Sequence, residues 1–324
     1  MSKNGITLSN GFRIKPVVLD CCLGVNGFGP PGLFFDTYND LIDRKNSTTI
    51  CKSITRHPKV GNFGSSIFSK SGWAMTDYGF PLPKKLCYLP IGGDSTVNSF
   101  GLTNDGFDSF LNMDFANNYV IPSIFLEFGK GEKEDIVRVK QDAKYMGEKL
   151  KEKFKKRRDV KLVAVVLNIS CPNSGHGVCL ISNEIVEVVK IFKEAIGNIP
   201  VGIKYSYLQD ISLAKMLHEN VEIEFHQAIN TIPFKLIFGD KKFSPLSHIG
   251  HGGVSGPAIK DKAMNYALKL RTALGPDAKI IGGGGISDLT SAQERAICCD
   301  SIAMGILVNR NTIEANKIIS YFAN

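Results

Sequence analysis

The sequence predicts an α/β protein of the (β/α)8 TIM barrel class, and three observations predict it. From about residue 120 onward, short apolar, β-branched runs alternate with longer charged segments of helical spacing. The runs are apolar along their whole length, so both of their faces must be covered, which marks a parallel sheet. Length is the third: eight strand–helix units close a barrel in about 250 residues, and a chain of 324 residues holds that many with loop insertions on the catalytic face besides. A doubly wound open sheet satisfies the same rhythm and stays open at this point.

The elements follow in order. "VKLVAVVLNIS" (160–170) reads as a buried strand followed by a helix near 183–197, and "IPVGIKY" (199–205) as a strand with a helix near 209–219. "VEIEFHQAINT" (221–231), "AKIIGGGG" (278–285) and "DSIAMGI" (300–306) are further strands, with helices near 260–274, 289–298 and 311–322. The first third supplies the remaining strands. No repeat, low-complexity linker or composition shift divides the chain, so one domain over residues 1–324 is expected, with an insertion at 62–78 inside a polar stretch rich in Gly and Ser.

Composition excludes several classes. The content is 43% hydrophobic, and no apolar run approaches the length of a membrane span. The N-terminus has no signal-peptide pattern. Eight cysteines occur without a paired CxxC spacing, so neither a zinc site nor a disulfide framework is expected, and a reduced, cytoplasmic setting fits. The net charge of +8 is partly local, in "KLKEKFKKRRD" (149–159), for which a solvated helix end is a simpler reading than a nucleic-acid patch. The excess can also draw in an anionic ligand.

Polar residues and glycines stand where the apolar runs stop. Asn168 and Ser170, Lys204, Asn230 and Thr231, Gly282 to Gly285, and Gly305 fall at successive strand ends, which is where a (β/α) barrel builds its site. Lys52 and Lys204 lie inside apolar, strand-like runs, where a charge needs a partner. The glycine run ahead of Ser287 and Asp288, with Gly305 one strand later, offers bare backbone N–H groups of the kind that hold a phosphate. "GHGGVSGPAIK" (250–260) is a second glycine-rich loop entering a helix. Cys171 follows a strand end within "LNISCPNSGHG" (167–177), flanked by Asn168 and Asn173, whose amides match the alternating C=O and N–H groups of a pyrimidine.

These residues resemble the class 1 dihydroorotate dehydrogenases, FMN-dependent (β/α)8 barrels of pyrimidine biosynthesis. "LNISCPNSGHG" resembles the family's cysteine-bearing loop, "CKSIT" (51–55) its lysine strand, and "NSFGLTNDGFD" (98–108) its substrate loop. "GIKY", "INT" (229–231), "GHGGVSGPAIK" and "IIGGGGI" (280–286) match in the right order over nearly the whole chain. The resemblance implies that Cys171 is the base taking a proton from C5 of dihydroorotate while hydride leaves C6 for the flavin. It implies that Lys52, Asn98, Asn168, Asn173, Asn230 and Thr231 surround the substrate, with backbone contacts from Gly101 and Leu102. For the cofactor it implies Cys22, Leu23, Lys52, Ser53 and Asn168 near the ring, with Lys204 stabilising charge at its N1/O2 edge. Ile229, Gly256, Gly284, Gly285, Gly305 and Ile306 complete the cofactor set.

Three places depart from the family pattern. Cys22 and Leu23 replace small residues, Ile306 stands where a threonine is frequent, and Phe100 where the residue is often smaller. The resemblance further implies a homodimer. It leaves the electron acceptor divided: "NDGFD" resembles the fumarate-using branch, whereas "GGVSGPAIK" and "INT" resemble the branch paired with an iron–sulfur, NAD-linked subunit. The chain has no cysteine cluster for an iron–sulfur centre of its own. A dihydropyrimidine dehydrogenase-like reductase, a tRNA dihydrouridine synthase and a catalytically silent flavin-binding protein are the alternatives.

Overall fold

The computed structural model describes residues 5–20, 41–59, 61–62, 73–75, 81–83, 87–112, 119–129, 131–156, 161–169 and 182–323. Its largest sheet is entirely parallel. In chain order the strands are β1 (Val17–Asp20), β2 (Thr48–Ile50), β3 (Tyr119–Ile121 and Ser123–Phe125) and β4 (Lys161–Leu162 and Val165–Asn168). They continue as β5 (Val201–Lys204), β6 (Phe225–Ala228), β7 (Ile280–Gly283) and β8 (Ser301–Met304). Each strand pairs with the next, and β8 returns to β1 with Ile302 opposite Val17 and Met304 opposite Leu19. The ring is therefore a closed (β/α)8 barrel, and the open doubly wound sheet is ruled out.

The breaks in β3 and β4 have a backbone cause. Pro122 has no N–H to give to the ladder, but its carbonyl still accepts from Val166 N at 2.9 Å. The two halves of β3 thus stay paired to the two halves of β4.

Alternation along the strands sorts the core. Val18, Ile50, Ile121, Val166, Phe225 and Ile281 are buried with Ile6, Leu8 and Ile14 of the amino-terminal segment. That segment forms the hairpin Ile6–Thr7 with Arg13–Ile14, and it closes the end of the barrel opposite the strand carboxyl termini. Asn10 Nδ2 donates to Val163 O at 3.1 Å, and Lys15 N donates to Thr48 Oγ1 at 2.9 Å. The outward residues Val165, Leu167, Val201 and Ile203 pack with Val189 and Phe192 of the helix Ser182–Ile196 and Leu213 and Leu217 of the helix Ile211–Val221. Each such side chain contributes about 1.5–3 kcal/mol on full burial. Helix starts are chemically marked: the Asp210 carboxylate accepts from Ser212 N at 2.7 Å, and Asp288 and Ser291 form a reciprocal capping box.

Two expectations need adjusting. The run 221–231 begins in a helix, because Val221 ends Ile211–Val221 and the strand starts only at Phe225; an apolar run cannot by itself locate that boundary. Of the expected insertion, only Asn62 and Trp73–Met75 fall among the described residues, and Trp73–Met75 is a strand paired antiparallel with Pro81–Pro83.

His226 of β6 faces outward and is fully buried. Its Nδ1 lies 2.8 Å from Tyr205 Oη and its Nε2 lies 3.1 Å from His218 Nδ1. Burial, with the adjacent His218, pushes its pKa from 6.5 down to about 3. The unfolded chain therefore binds a proton between those values that the folded chain refuses, so stability is lost as pH falls below about 6.5. The loss from this group is at most about 1.4 kcal/mol per pH unit. Urea midpoints taken from pH 7.5 down to pH 5 should fall for the wild type and fall less steeply for His226→Gln; equal slopes would remove His226 as the cause.

Candidate active site

At the carboxyl ends of the strands lies a cavity of ≈ 210 Å³. Over it sits a small antiparallel sheet made of Tyr88–Gly92, Ser95–Asn98, Ile232–Pro233 and Gly253–Ser255. The barrel contributes Asp20, Asn168 and Lys204 to the cavity wall, and the segment after β2 contributes Lys52 and Ser53. The small sheet and its connections bring Asn98, Gly101, Leu102, Thr231 and Gly256, and the ends of β6, β7 and β8 bring Ile229, Asn230, Gly284, Gly285, Gly305 and Ile306. Cys171, Asn173, Cys22 and Leu23 lie outside the described residues.

Lys204 is 2% exposed, and its ammonium donates to both carboxylate oxygens of Asp20, at 3.0 and 2.9 Å. Asp20 ends β1 and Lys204 ends β5, strands that stand opposite each other in the ring, so the ion pair crosses the barrel mouth. A buried ammonium of this kind persists only with a counter-charge and good hydrogen-bond geometry. Asp20 was open to the argument that located Lys204, since it too is the polar end of an apolar run, "PVVLD" (16–20).

The amides are held in fixed attitudes. Asn168, 3% exposed, donates through Nδ2 to Ser53 Oγ at 2.7 Å, and Ser53 Oγ lies 3.0 Å from Ser123 Oγ. Asn230 Oδ1 accepts from Thr231 N at 2.9 Å while its own N–H donates to Tyr205 O at 2.9 Å. Asn98 Nδ2 reaches Gly253 O at 3.4 Å across the small sheet. Lys52 donates to Thr103 O, and its Nζ stands 5.9 Å from the centre of the Phe100 ring, which stacks on Tyr88. Phe100 and Tyr88 both line the cavity, as do Ser255 and Asn309; nothing in the local sequence marks Tyr88 or Asn309.

The opposite wall is bare backbone. Gly256 and Gly285 have φ of +95° and +81°, in the region that favours glycine. A Cβ on Gly256 would meet Asp94 O at 2.7 Å, and one on Gly285 would meet Lys260 Cα at 2.3 Å. Among the described residues no cysteine lines the cavity. Burial pushes the Cys87 thiol up to about 11, partly countered by Lys52, so it is protonated near neutral pH.

With this geometry in view, a family model described as dihydroorotate dehydrogenase matches residues 36–319. The chain belongs to the dihydroorotate dehydrogenase family. It is 26% identical over 267 residues to the dihydroorotate dehydrogenase (fumarate) of Saccharomyces cerevisiae, covering 76% of this chain and 77% of the relative. It is 28% identical over 299 residues to the dihydroorotate dehydrogenase B (NAD(+)) catalytic subunit of Thermoplasma volcanium, covering 90% of this chain and 80% of that one. A crystal structure of DHODH from Eimeria tenella in complex with ferulenol superposes with a TM-score of 0.66 at 14% identity, over 99% of this chain and 83% of that chain. At that identity the likeness speaks to the fold, and it agrees with the closed barrel.

The ion pair gives this family member a measurable signature. Lys204→Met alone leaves the Asp20 carboxylate in the mouth without its cation and should cost about 3 kcal/mol in chemical denaturation. The double variant with Asp20→Asn should recover most of that loss. Strictly additive losses would mean that the two groups do not stabilise each other.

Proposed function

We propose that this chain oxidises dihydroorotate to orotate in pyrimidine biosynthesis, with FMN bound in the barrel mouth and fumarate as the final electron acceptor. The observation that carries the reading is the shared cavity: Lys52, Lys204, Asn98, Asn168, Asn230 and Thr231 line it together with the glycines of three turns. The residues fit the cofactor, because backbone crowds Gly256 and Gly285 too closely for any Cβ, and glycine turns of this kind are the ones that present backbone N–H groups to a phosphate. FMN supplies the acceptor for the hydride that leaves C6 of the substrate.

In this reading the protein's own groups bind, orient and move a proton. Lys52 neutralises the substrate carboxylate. Asn98, Asn168, Asn230, Asn173 and Thr231 meet the ring's donors and acceptors, and Asn168 is held in one rotamer by its bond to Ser53. The thiolate of Cys171, three residues beyond Asn168, takes the C5 proton. In this reading Lys204, already held by Asp20, serves the cofactor ring together with Ser53 and Ile229, and the family resemblance assigns Cys22 and Leu23 to the same ring. Gly284, Gly305 and Ile306 belong to the cofactor's phosphate side. A cytoplasmic homodimer, with one domain over residues 1–324, completes the proposal and rests on the family resemblance.

The NAD-linked branch is the second reading, favoured by the Thermoplasma relative, which covers more of this chain than the yeast one. It would require a separate iron–sulfur subunit.

The isolated chain should carry a flavin spectrum that bleaches on anaerobic mixing with dihydroorotate. Cys171→Ser should still bind orotate yet lose at least ~10²-fold in the rate of bleaching near pH 7, because a hydroxyl is a much weaker base. Wild-type rates in that variant would remove Cys171 from the chemistry. Fumarate should restore the colour in the absence of any other protein, with orotate competing against it. Recolouring by NAD only after an iron–sulfur protein is added, with none by fumarate, would move the chain to the second reading.

A further inference from the structure

Arg295 is 1% exposed, and among the described residues no carboxylate pairs with it. The neighbouring Glu294 turns to Lys260 at 2.6 Å. The guanidinium is spent on carbonyls: Nη1 donates to Gly283 O at 3.0 Å, and Nη2 donates to Gly284 O at 2.9 Å and to Lys260 O at 3.3 Å. Nε is buried without a hydrogen-bond partner. A cation this deep, with no carboxylate paired to it among the described residues, is costly, and carbonyl dipoles offset only part of that cost.

The position of the guanidinium says what the charge can act on. It lies behind the glycine turn that follows β7, on the side of Lys260, where a Cβ on Gly285 would strike Lys260 Cα. Peptide units are planar and trans, so a carbonyl and the next N–H point in opposite directions. Holding Gly284 O toward the guanidinium therefore turns the Gly285 N–H the other way, toward the cavity that both glycines line. The buried charge and the oriented N–H then favour an anion at the same spot.

We propose that Arg295 is a positioning residue for the phosphate of the cofactor: it fixes the Gly283–Gly285 turn from behind and supplies the positive field that its front face presents. The proposal rests on the FMN reading above. It assigns to Arg295 the discrimination between FMN and riboflavin, which share the ring and differ in the phosphate.

The test is to titrate the flavin-free full chain with FMN and with riboflavin, following quenching of flavin fluorescence, for wild type, Arg295→Met and Arg295→Lys. Arg295→Met should weaken FMN by at least ~10-fold and riboflavin by less than about twofold. Arg295→Lys keeps the charge but cannot hold the carbonyls with a planar fork, and should show the same selective loss at a smaller size. If the Met variant does not fold, the Lys variant decides. Equal losses for both flavins, no loss for either, or a wild type that binds riboflavin as tightly as FMN would overturn the assignment. A wild type that binds neither flavin would overturn the FMN reading itself, and this proposal with it.

Discussion

The contact between Asp20 and Lys204 carries much of this architecture. Strands on opposite sides of an eight-membered ring have no ladder in common, and their side chains meet only across the barrel's interior. A buried ammonium at the end of β5 and a carboxylate at the end of β1 give the mouth a fixed diameter and a specified chemistry. Either charge alone in that place would be unfavourable. Their mutual neutralisation leaves Lys52, on the rim, as the cation more available to an anionic ligand.

Around this pair the mouth divides into two chemically distinct walls. On one side, short polar side chains are held by neighbours, as Asn168 is by Ser53 and Ser53 by Ser123. On the other side the chain offers backbone, and the turns there are shaped by what lies behind them rather than by their own side chains. The antiparallel sheet above joins the walls, because Ser95–Asn98 pairs with Gly253–Ser255. A residue from the first third of the chain is thereby placed beside the loop that enters the helix Lys260–Leu274.

What could be read from the sequence was what local physics decides. Apolar runs bounded by polar residues gave β4 through β8, and the polar ends of those runs gave Asn168, Lys204 and Asn230. β1 and β3 cannot be located individually, since each is short and their runs are interrupted by loops and by Pro122; the resemblance puts a lysine strand at 51–55, whereas β2 ends at Ile50 and Lys52 follows it. Asp20 escaped although it had the same signature, because its meaning depends on a partner 184 residues away. "GHGGVSGPAIK" reads as a loop, yet Gly253–Ser255 becomes a strand because Ser95–Asn98 supplies an edge for it. Arg295 sits on a helix where an arginine suggests a surface, and only the closeness of Gly282, where a Cβ would meet Arg295 Cδ at 2.7 Å, lets it turn inward. Spatial neighbours, rather than residue type, made the difference in each case.

The pairing of β8 with β1 also bears on how the chain is made. During synthesis Val17–Asp20 emerges long before its partner Ser301–Met304, because more than 280 residues separate them. Until then β1 can have a neighbour on one side only, and its other edge offers unpaired N–H and C=O groups along an apolar strand. Such edges are templates for pairing with the wrong chain. The amino-terminal hairpin, which closes the bottom of the barrel, must wait as well, since Ser9 N finds its acceptor on Glu224. All eight strands must therefore exist before the ring can close, and the nascent chain is most exposed to aggregation in the interval before residue 304 is free to dock.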